Sequence, residues 1–208
     1  MSRDSKVTLI DTHCHLDFPE FDNDRAEVIA RAKEAGVEYL VNIGSNLDGS
    51  RRSVELASAY EEIYASVGVH PHEADQAGVD TVKLLRGLAS GGKVVAIGEI
   101  GLDYFKNFSS HENQKKLFVS SLELAISLKL PVIIHSRQAE DDVLDIMSKN
   151  MPPKAVVHCF SSDDRFLKKC LDKGFLVSFT CNITYKKADA LRAVLGYVPL
   201  DRLMRSEE

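Results

Sequence analysis

The sequence predicts an α/β fold of the TIM type, a (β/α) barrel, and three observations lead there. Short β-rich apolar runs recur along the 208 residues at 7–10, 39–43, 63–69, 94–97, 132–134, 155–157 and 175–179, with helix-like stretches between them. Strand and helix alternating in this way build a parallel sheet from βαβ units. A doubly wound open sheet places a glycine-rich phosphate loop after its first strand, whereas this chain has His13-Cys-His15 there. Finally, the chemically active side chains gather where the apolar runs stop, and a barrel concentrates its chemistry at the C-terminal ends of its strands.

The helices follow in order. Residues 25–35 carry Val28, Ile29 and Ala32 and stop at Gly36, a residue suited to end a helix. Residues 112–130 form the longest, with a broad apolar face of Leu117, Phe118, Leu122, Leu124, Ala125 and Leu128 ahead of Pro131. Three shorter helices are expected at 141–149, closed by Pro152-Pro153, at 164–172, closed by Gly174, and at 187–195, closed by Gly196. No low-complexity segment or linker interrupts the pattern, so 1–208 reads as a single domain.

Composition narrows the function classes. Hydrophobic residues at 44% with 27% charged describe an ordinary globular chain. A net charge of −5 excludes a general basic field that draws in nucleic acid, so a polyanionic substrate needs a metal or a few arginines. No signal-like segment opens the chain and no apolar run approaches membrane-spanning length. Cys14, Cys159, Cys170 and Cys181 are scattered with no Cys-x-x-Cys pair, which reads as reduced thiols and makes the cytoplasm the expected compartment.

The strand ends carry a pattern. The first ends at His13 and His15, the third in Gly68-Val-His70-Pro-His72, and the fourth leads into Gly98-Glu99-Ile-Gly-Leu-Asp103-Tyr104. The fifth ends in His135-Ser-Arg137 and the sixth in His158-Cys-Phe160-Ser161. Of seven histidines, six lie at such ends and His111 sits at a helix entrance. On a strand, His13 and His15 face the same way because side chains alternate. A single strand-end histidine is usually a packing or hydrogen-bonding residue; several strands aiming imidazoles into one barrel mouth point to metal.

Four imidazoles and a buried carboxylate exceed the needs of one tetrahedral ion. They suit two ions sharing Glu99 as a bridge, with His13 and His15 on one and His135 and His158 on the other. Two ions about 4 Å apart lower the pKa of a water and polarise a phosphoryl or carbonyl oxygen, which makes hydrolysis the expected reaction. The donor set favours Zn²⁺ or Mn²⁺, and an open coordination sphere admits Mg²⁺.

These segments, with Phe175-Leu-Val-Ser-Phe179 and Val198-Pro-Leu-Asp-Arg202, resemble the TatD family of metal-dependent deoxyribonucleases, within the amidohydrolase-like superfamily of TIM barrels. The likeness is colinear over nearly the whole chain. It implies a divalent-metal phosphodiesterase acting on DNA, often as a 3′–5′ exonuclease, with His13, His15, Glu99, His135 and His158 as metal ligands. The expected catalytic group is Glu99, His70 and Arg137, the arginine neutralising a substrate phosphate. Arg137 also has a rim salt bridge as its alternative, and His70 has structural hydrogen bonding. Substrate contacts are expected from His70, His72, Asp103, Tyr104 and Arg137, with Asp103 and Tyr104 shaping the mouth and Tyr104 able to stack on a base. Cys14 and Cys159 read as small core residues facing away from the ligands beside them.

The chain departs from the family pattern at one place. Family members run past Val198-Pro-Leu-Asp-Arg202 into a strand ending in Glu-Thr-Asp, whose Asp is a metal ligand and the general base. Here Leu203-Met-Arg205-Ser-Glu-Glu208 follows instead, with Arg205 where an apolar side chain is expected. The last strand and final helices are therefore expected to be absent, leaving the first strand exposed at a sheet edge. Three explanations stand. The chain is a fragment or frameshifted form of a longer enzyme; it is a shortened protein in which Glu208 substitutes as ligand; or it binds metal or nucleic acid without turnover. A small-molecule amidohydrolase on the same barrel is the other enzymatic reading. That group commonly carries a carboxylated lysine on the fourth strand, where this chain has Glu99.

Overall fold

The computed structural model describes residues 8–205. Eight parallel strands stand side by side in strict sequence order and curve into a nearly closed barrel with β1 and β8 as its two ends. The strands are β1 (Leu9–Cys14), β2 (Val37–Ile43), β3 (Ile63–Val67), β4 (Val94–Asp103), β5 (Val132–Arg137), β6 (Ala155–Val157), β7 (Leu176–Phe179) and β8 (Leu203–Arg205). Helices α1 (Arg25–Glu34), α2 (Leu47–Ala59), α3 (Thr81–Ala89), α4 (His111–Leu128), α5 (Glu140–Lys149), α6 (Asp164–Asp172) and α7 (Asp189–Leu195) lie between successive strands. Val7, at the start of the first expected run, and Glu208, the expected substitute ligand, lie outside the described residues. Among the described residues no helix is long and apolar enough to cross a membrane.

The expected loss of the last strand is corrected here. Leu203–Arg205 pairs in parallel with β7, Leu203 against Val177 and Arg205 against Phe179, and supplies the eighth strand. Three residues are too few for an alternating pattern to be read in the sequence. The charged Arg205 that argued against a strand is exposed at its end, so it costs the core nothing.

Side-chain alternation splits the apolar residues into two sets. Val41 and Ile43 of β2, Ala96 of β4, Ile133 of β5 and Val156 of β6 form a small cluster drawn from strands only, inside the curve of the sheet. The larger core lies between sheet and helices, with Ile97, Leu102, Phe118, Leu122 and Phe166 among its fully buried members. The same period of two carries the inner face from Ile133 up to His135 and from Val156 up to His158. The floor of the barrel thus predicts which side chains reach its mouth.

Two helices, α2 and α3, were not among those expected; α3 carries Val82, Leu85 and Leu88 at helical spacing, whereas α2 lacks a clear apolar stripe. The buried residues of α2 are Gly49, Ser50, Ser53 and Ala57, a small and partly polar face with no hydrophobic period. Asn42 of β2 receives that face, donating to Ser53 Oγ (2.7 Å) and to Asp17 Oδ1 (2.9 Å). Strand β4 runs six residues beyond the apolar run 94–97, with a register shift against β5 between Ile97 and Ile100. Two glycines make the extension possible. A Cβ on Gly98 would press into Ile133, and one on Gly101, at φ 143°, would overlap the carbonyl oxygen of His135. Closeness of backbones at this point is what sets Glu99 and His135 side by side.

Candidate metal centre

Glu99 is 4% exposed and stands at the middle of the histidines. Its Oε2 faces His13 Nε2 at 3.7 Å. Its Oε1 faces His135 Nδ1 at 3.0 Å and His70 Nε2 at 3.9 Å. The two oxygens of one carboxylate therefore address two different histidine groups. Burial opposes its charge, yet His135, His70 and His13 together hold the carboxyl well below its ordinary value.

The first group is built by β1. His13 is the fifth residue of the strand and His15 follows its end, and their Nε2 atoms converge to 3.2 Å. The other nitrogen of His15 donates to the backbone carbonyl of Ile43 (3.2 Å), which fixes that ring and turns Nε2 inward. Phe18 stacks on the outer face of His15 at 4.6 Å between centroids. Donor atoms of His13, His15 and Glu99 all lie within 4.8 Å of one another, close enough to share an ion.

The second group is built by β3, β4 and β5. His70, Glu99 and His135 also present donors within 4.8 Å of one another. Behind them lies a second carboxylate. Asp103 Oδ2 accepts from His135 Nε2 (3.0 Å) and from His72 Nε2 (2.8 Å), while Oδ1 accepts the backbone N–H groups of Phe105 and Lys106. Burial works against the charge of His135, but its hydrogen bonds to Asp103 and Glu99 raise it to about 9. His70 goes the other way: burial lowers it to about 4, outweighing the pull of Glu99. It is a neutral imidazole near pH 7.

Converging imidazole nitrogens around a buried carboxylate are a donor set that fits divalent metal. The spatial grouping differs from the expected pairing in one respect. His158, just past β6 and 3% exposed, packs face to face on His13 at 3.5 Å between centroids, with Ser178 Oγ 3.2 Å from its Nδ1. It is His70 that shares the close cluster with His135.

The remaining residues fall into place as follows. Asp103 is 0% exposed, so it orients histidines from below and does not line the mouth as expected. Tyr104 donates to Asp142 Oδ2 (2.7 Å), and its ring already stacks on His111 at 3.7 Å, which occupies the face expected to meet a base. Arg137 makes no rim salt bridge among the described residues; its guanidinium lies over the ring of Phe105 at 4.0 Å. Cys14 follows its expected orientation, its thiol donating to the carbonyl of Val41 (3.4 Å). Cys159 does not: at φ 46° it turns out of the core and lines a cavity beside His158.

Residues 10–205 match the family model described as TatD related DNase. The chain belongs to the TatD-related DNase family. It is 36% identical over 198 residues to a Bacillus subtilis protein named "Uncharacterized metal-dependent hydrolase YabD", covering 94% of this chain and 78% of that one. To a "3'-5' ssDNA/RNA exonuclease TatD" of Pantoea ananatis it is 37% identical over 202 residues, covering 94% and 77%. The crystal structure of YjjV, a TatD homologue from Escherichia coli K12, superposes with a TM-score of 0.89 at 33% identity, covering 95% of this chain and 78% of that one. This TatD-family chain is accordingly an enzyme, a metal-dependent hydrolase of the nuclease type.

Two exposed aromatics escaped sequence reasoning. Phe105 (49% exposed) carries the Arg137 guanidinium, and Phe108 (66% exposed) meets the edge of His72 at 4.9 Å. Their signal was present in the run Phe105-Lys-Asn-Phe108 directly after β4, an aromatic and basic loop at a barrel mouth.

Proposed function

We propose that this TatD-family enzyme hydrolyses phosphodiester bonds of single-stranded DNA from the 3′ end, using two divalent ions. Polarity and strandedness are carried over from the relatives named 3'-5' ssDNA/RNA exonuclease. One ion is assigned to His13, His15 and Glu99, and a second to Glu99 and His135, with His70 alongside and His158 as a further donor against His13. When bound, the ions supply Lewis acidity at the phosphate and lower the pKa of water; Zn²⁺, Mn²⁺ and Mg²⁺ all suit imidazole–carboxylate donors.

The chain's own residues do the rest. Glu99 keeps the two donor groups in register through its separate oxygens. Asp103 holds His135 through Nε2 and so presents Nδ1 to the site, a carboxylate–histidine arrangement that raises ligand basicity. Arg137, flattened on Phe105, presents planar N–H pairs to a phosphate and neutralises charge as the bond breaks. His72, tied to Asp103 and edged by Phe108, forms a wall beside the reacting group. Scattered cysteines with no Cys-x-x-Cys pair support a reducing compartment, and the cytoplasm is the one this reading assigns.

The observation that carries the proposal is the shared carboxylate, one oxygen of Glu99 toward each histidine group. An end-labelled single-stranded oligonucleotide incubated with Mg²⁺, Mn²⁺ or Zn²⁺ tests it. Ladder-like shortening from the 3′ end that stops in EDTA is the expected outcome. Intact substrate with all three metals sinks the reading.

A further inference from the structure

Two cavities open on the histidine cluster, both touching His135, and they differ in charge. One, of about 320 Å³, is lined by His15, His70, His72 and Glu99, and shares Asn46 and Glu73 with a neighbouring cleft that adds Asp48, Arg51 and Arg52. Carboxylates and cations mix along that side. The other, of about 600 Å³, lies between the ends of β5 and β6 and the start of α7. It touches His135 and His158 and is lined by Arg137, Lys187 and Tyr185, with no Asp or Glu in its wall among the described residues. A volume of this size is in the range of pockets that take a small organic ligand.

Its cations are available. Neither Arg137 nor Lys187 has an ion-pair partner among the described residues, and the Arg137 guanidinium lies over the Phe105 ring at 4.0 Å. The Tyr185 ring is 63% exposed at the rim. The polar wall is completed by Ser161 and Asn182, whose amide donates to the carbonyl of Phe160 (3.0 Å) and so keeps the wall fixed. Two cations, neutral polar groups and one exposed aromatic face are the chemistry of a nucleotide: phosphate to the cations, base to the ring.

We infer that this cavity seats the terminal nucleotide of the strand, with Arg137 and Lys187 toward its phosphate and Tyr185 against its base. The inference rests on the nuclease reading and gives it direction: the strand enters along the mixed-charge side and its last residue lies under α7. In hydrolysis the oxygen of water joins phosphorus, the P–O3′ bond breaks, and the leaving 3′ oxygen takes up a proton. The nucleotide left in the cavity is then a 5′-monophosphate, which carries about −1.5 to −2 charge near pH 7 against −1 for the diester. A seat that places Arg137 and Lys187 toward the phosphate therefore retains the product, and its release is an expected slow step.

Binding of thymidine 5′-monophosphate to the 208-residue protein in EDTA, measured by calorimetry beside thymidine, tests this without turnover. The monophosphate is expected to bind at least tenfold tighter than the nucleoside. Lys187→Glu should remove most of that difference, Tyr185→Ala should weaken both ligands about tenfold, and Arg51→Glu in the mixed-charge cleft should change neither. All three positions are solvent-facing, so the variants keep the fold, which circular dichroism verifies. Unchanged affinity in Lys187→Glu and Tyr185→Ala, or an equal loss in Arg51→Glu, overturns the seat. Oligonucleotide cleavage is read separately. Cleavage with no dependence of mononucleotide affinity on Lys187 and Tyr185 removes the seat and leaves the nuclease. The expected affinities without cleavage keep the seat and remove the nuclease.

Discussion

The two halves of the centre share Glu99 and little else. On the β1 side, His13 and His15 are held by a backbone carbonyl, a phenylalanine and a stacked histidine. On the β4–β5 side, His135 lies between two carboxylates, Glu99 at Nδ1 and Asp103 at Nε2, each 3.0 Å away. The second arrangement adds a buried carboxylate, Asp103, behind its histidine. A buried carboxylate behind a histidine makes it a more basic ligand, so the β4–β5 half is expected to bind metal first and hold it longer. The β1 side supplies two imidazoles to its set and depends on Glu99 for the only negative charge within that set.

The largest expected effect comes from removing what both halves share. Glu99→Gln takes the charge from both donor groups at once, and loss of metal binding in both halves with loss of metal-dependent cleavage is expected, measured by bound-metal analysis and oligonucleotide assay. Gly101→Ala comes next. A methyl there collides with the His135 carbonyl, and a destabilisation of about 1–3 kcal/mol or more is expected from overpacking, read by denaturant unfolding. A stable, active Gly101→Ala protein would mean that β4 and β5 need not approach so closely.

Asp103→Asn separates the halves. Losing the supporting carboxylate is expected to weaken metal in the β4–β5 half about 10–100-fold while the β1 half changes less. Competition with a chelator of known affinity resolves the two classes, and equal weakening of both would contradict the division. Protons give the same test without mutation. His135 carries a proton below about 9, and metal must displace it from Nδ1. Calorimetry in buffers of different ionisation enthalpy should find about one proton released per ion in this half at pH 7, falling to about half that near pH 9. Apparent affinity consequently rises with pH over that window. In Asp103→Asn the release at pH 7 should shrink, because the hydrogen bond that raises His135 is weakened. The smallest effect is expected from Phe105→Ala. Freeing the Arg137 guanidinium loses an exposed cation–π contact of about 0.5–1 kcal/mol, a two- to fivefold rise in KM with kcat little changed.

Legibility in the sequence followed length and charge. The barrel, strands β1 to β7 and five helices were readable because apolar runs and helix-ending residues mark them. The α2 helix was not, since it buries serines and a glycine against Asn42 rather than an apolar stripe. The β8 strand was not, because three residues ending in an arginine carry no period. In the site, the histidines were legible as a set from their positions after strands. Which histidine stands beside which was not, because that depends on how β4 is drawn against β5 through Gly98 and Gly101, a tertiary contact with no linear trace. The role of Asp103 was misread for the same reason: position near a strand end says nothing about depth, and it is fully buried.

One measurement goes directly to the shared carboxylate. Apo-protein titrated with Mn²⁺ or Zn²⁺ by calorimetry, wild type beside Glu99→Gln, is expected to give two binding events that differ in affinity and proton release, both lost in the variant. Retention of either event by a folded Glu99→Gln protein would contradict the placing of Glu99 at the junction of two metal sites.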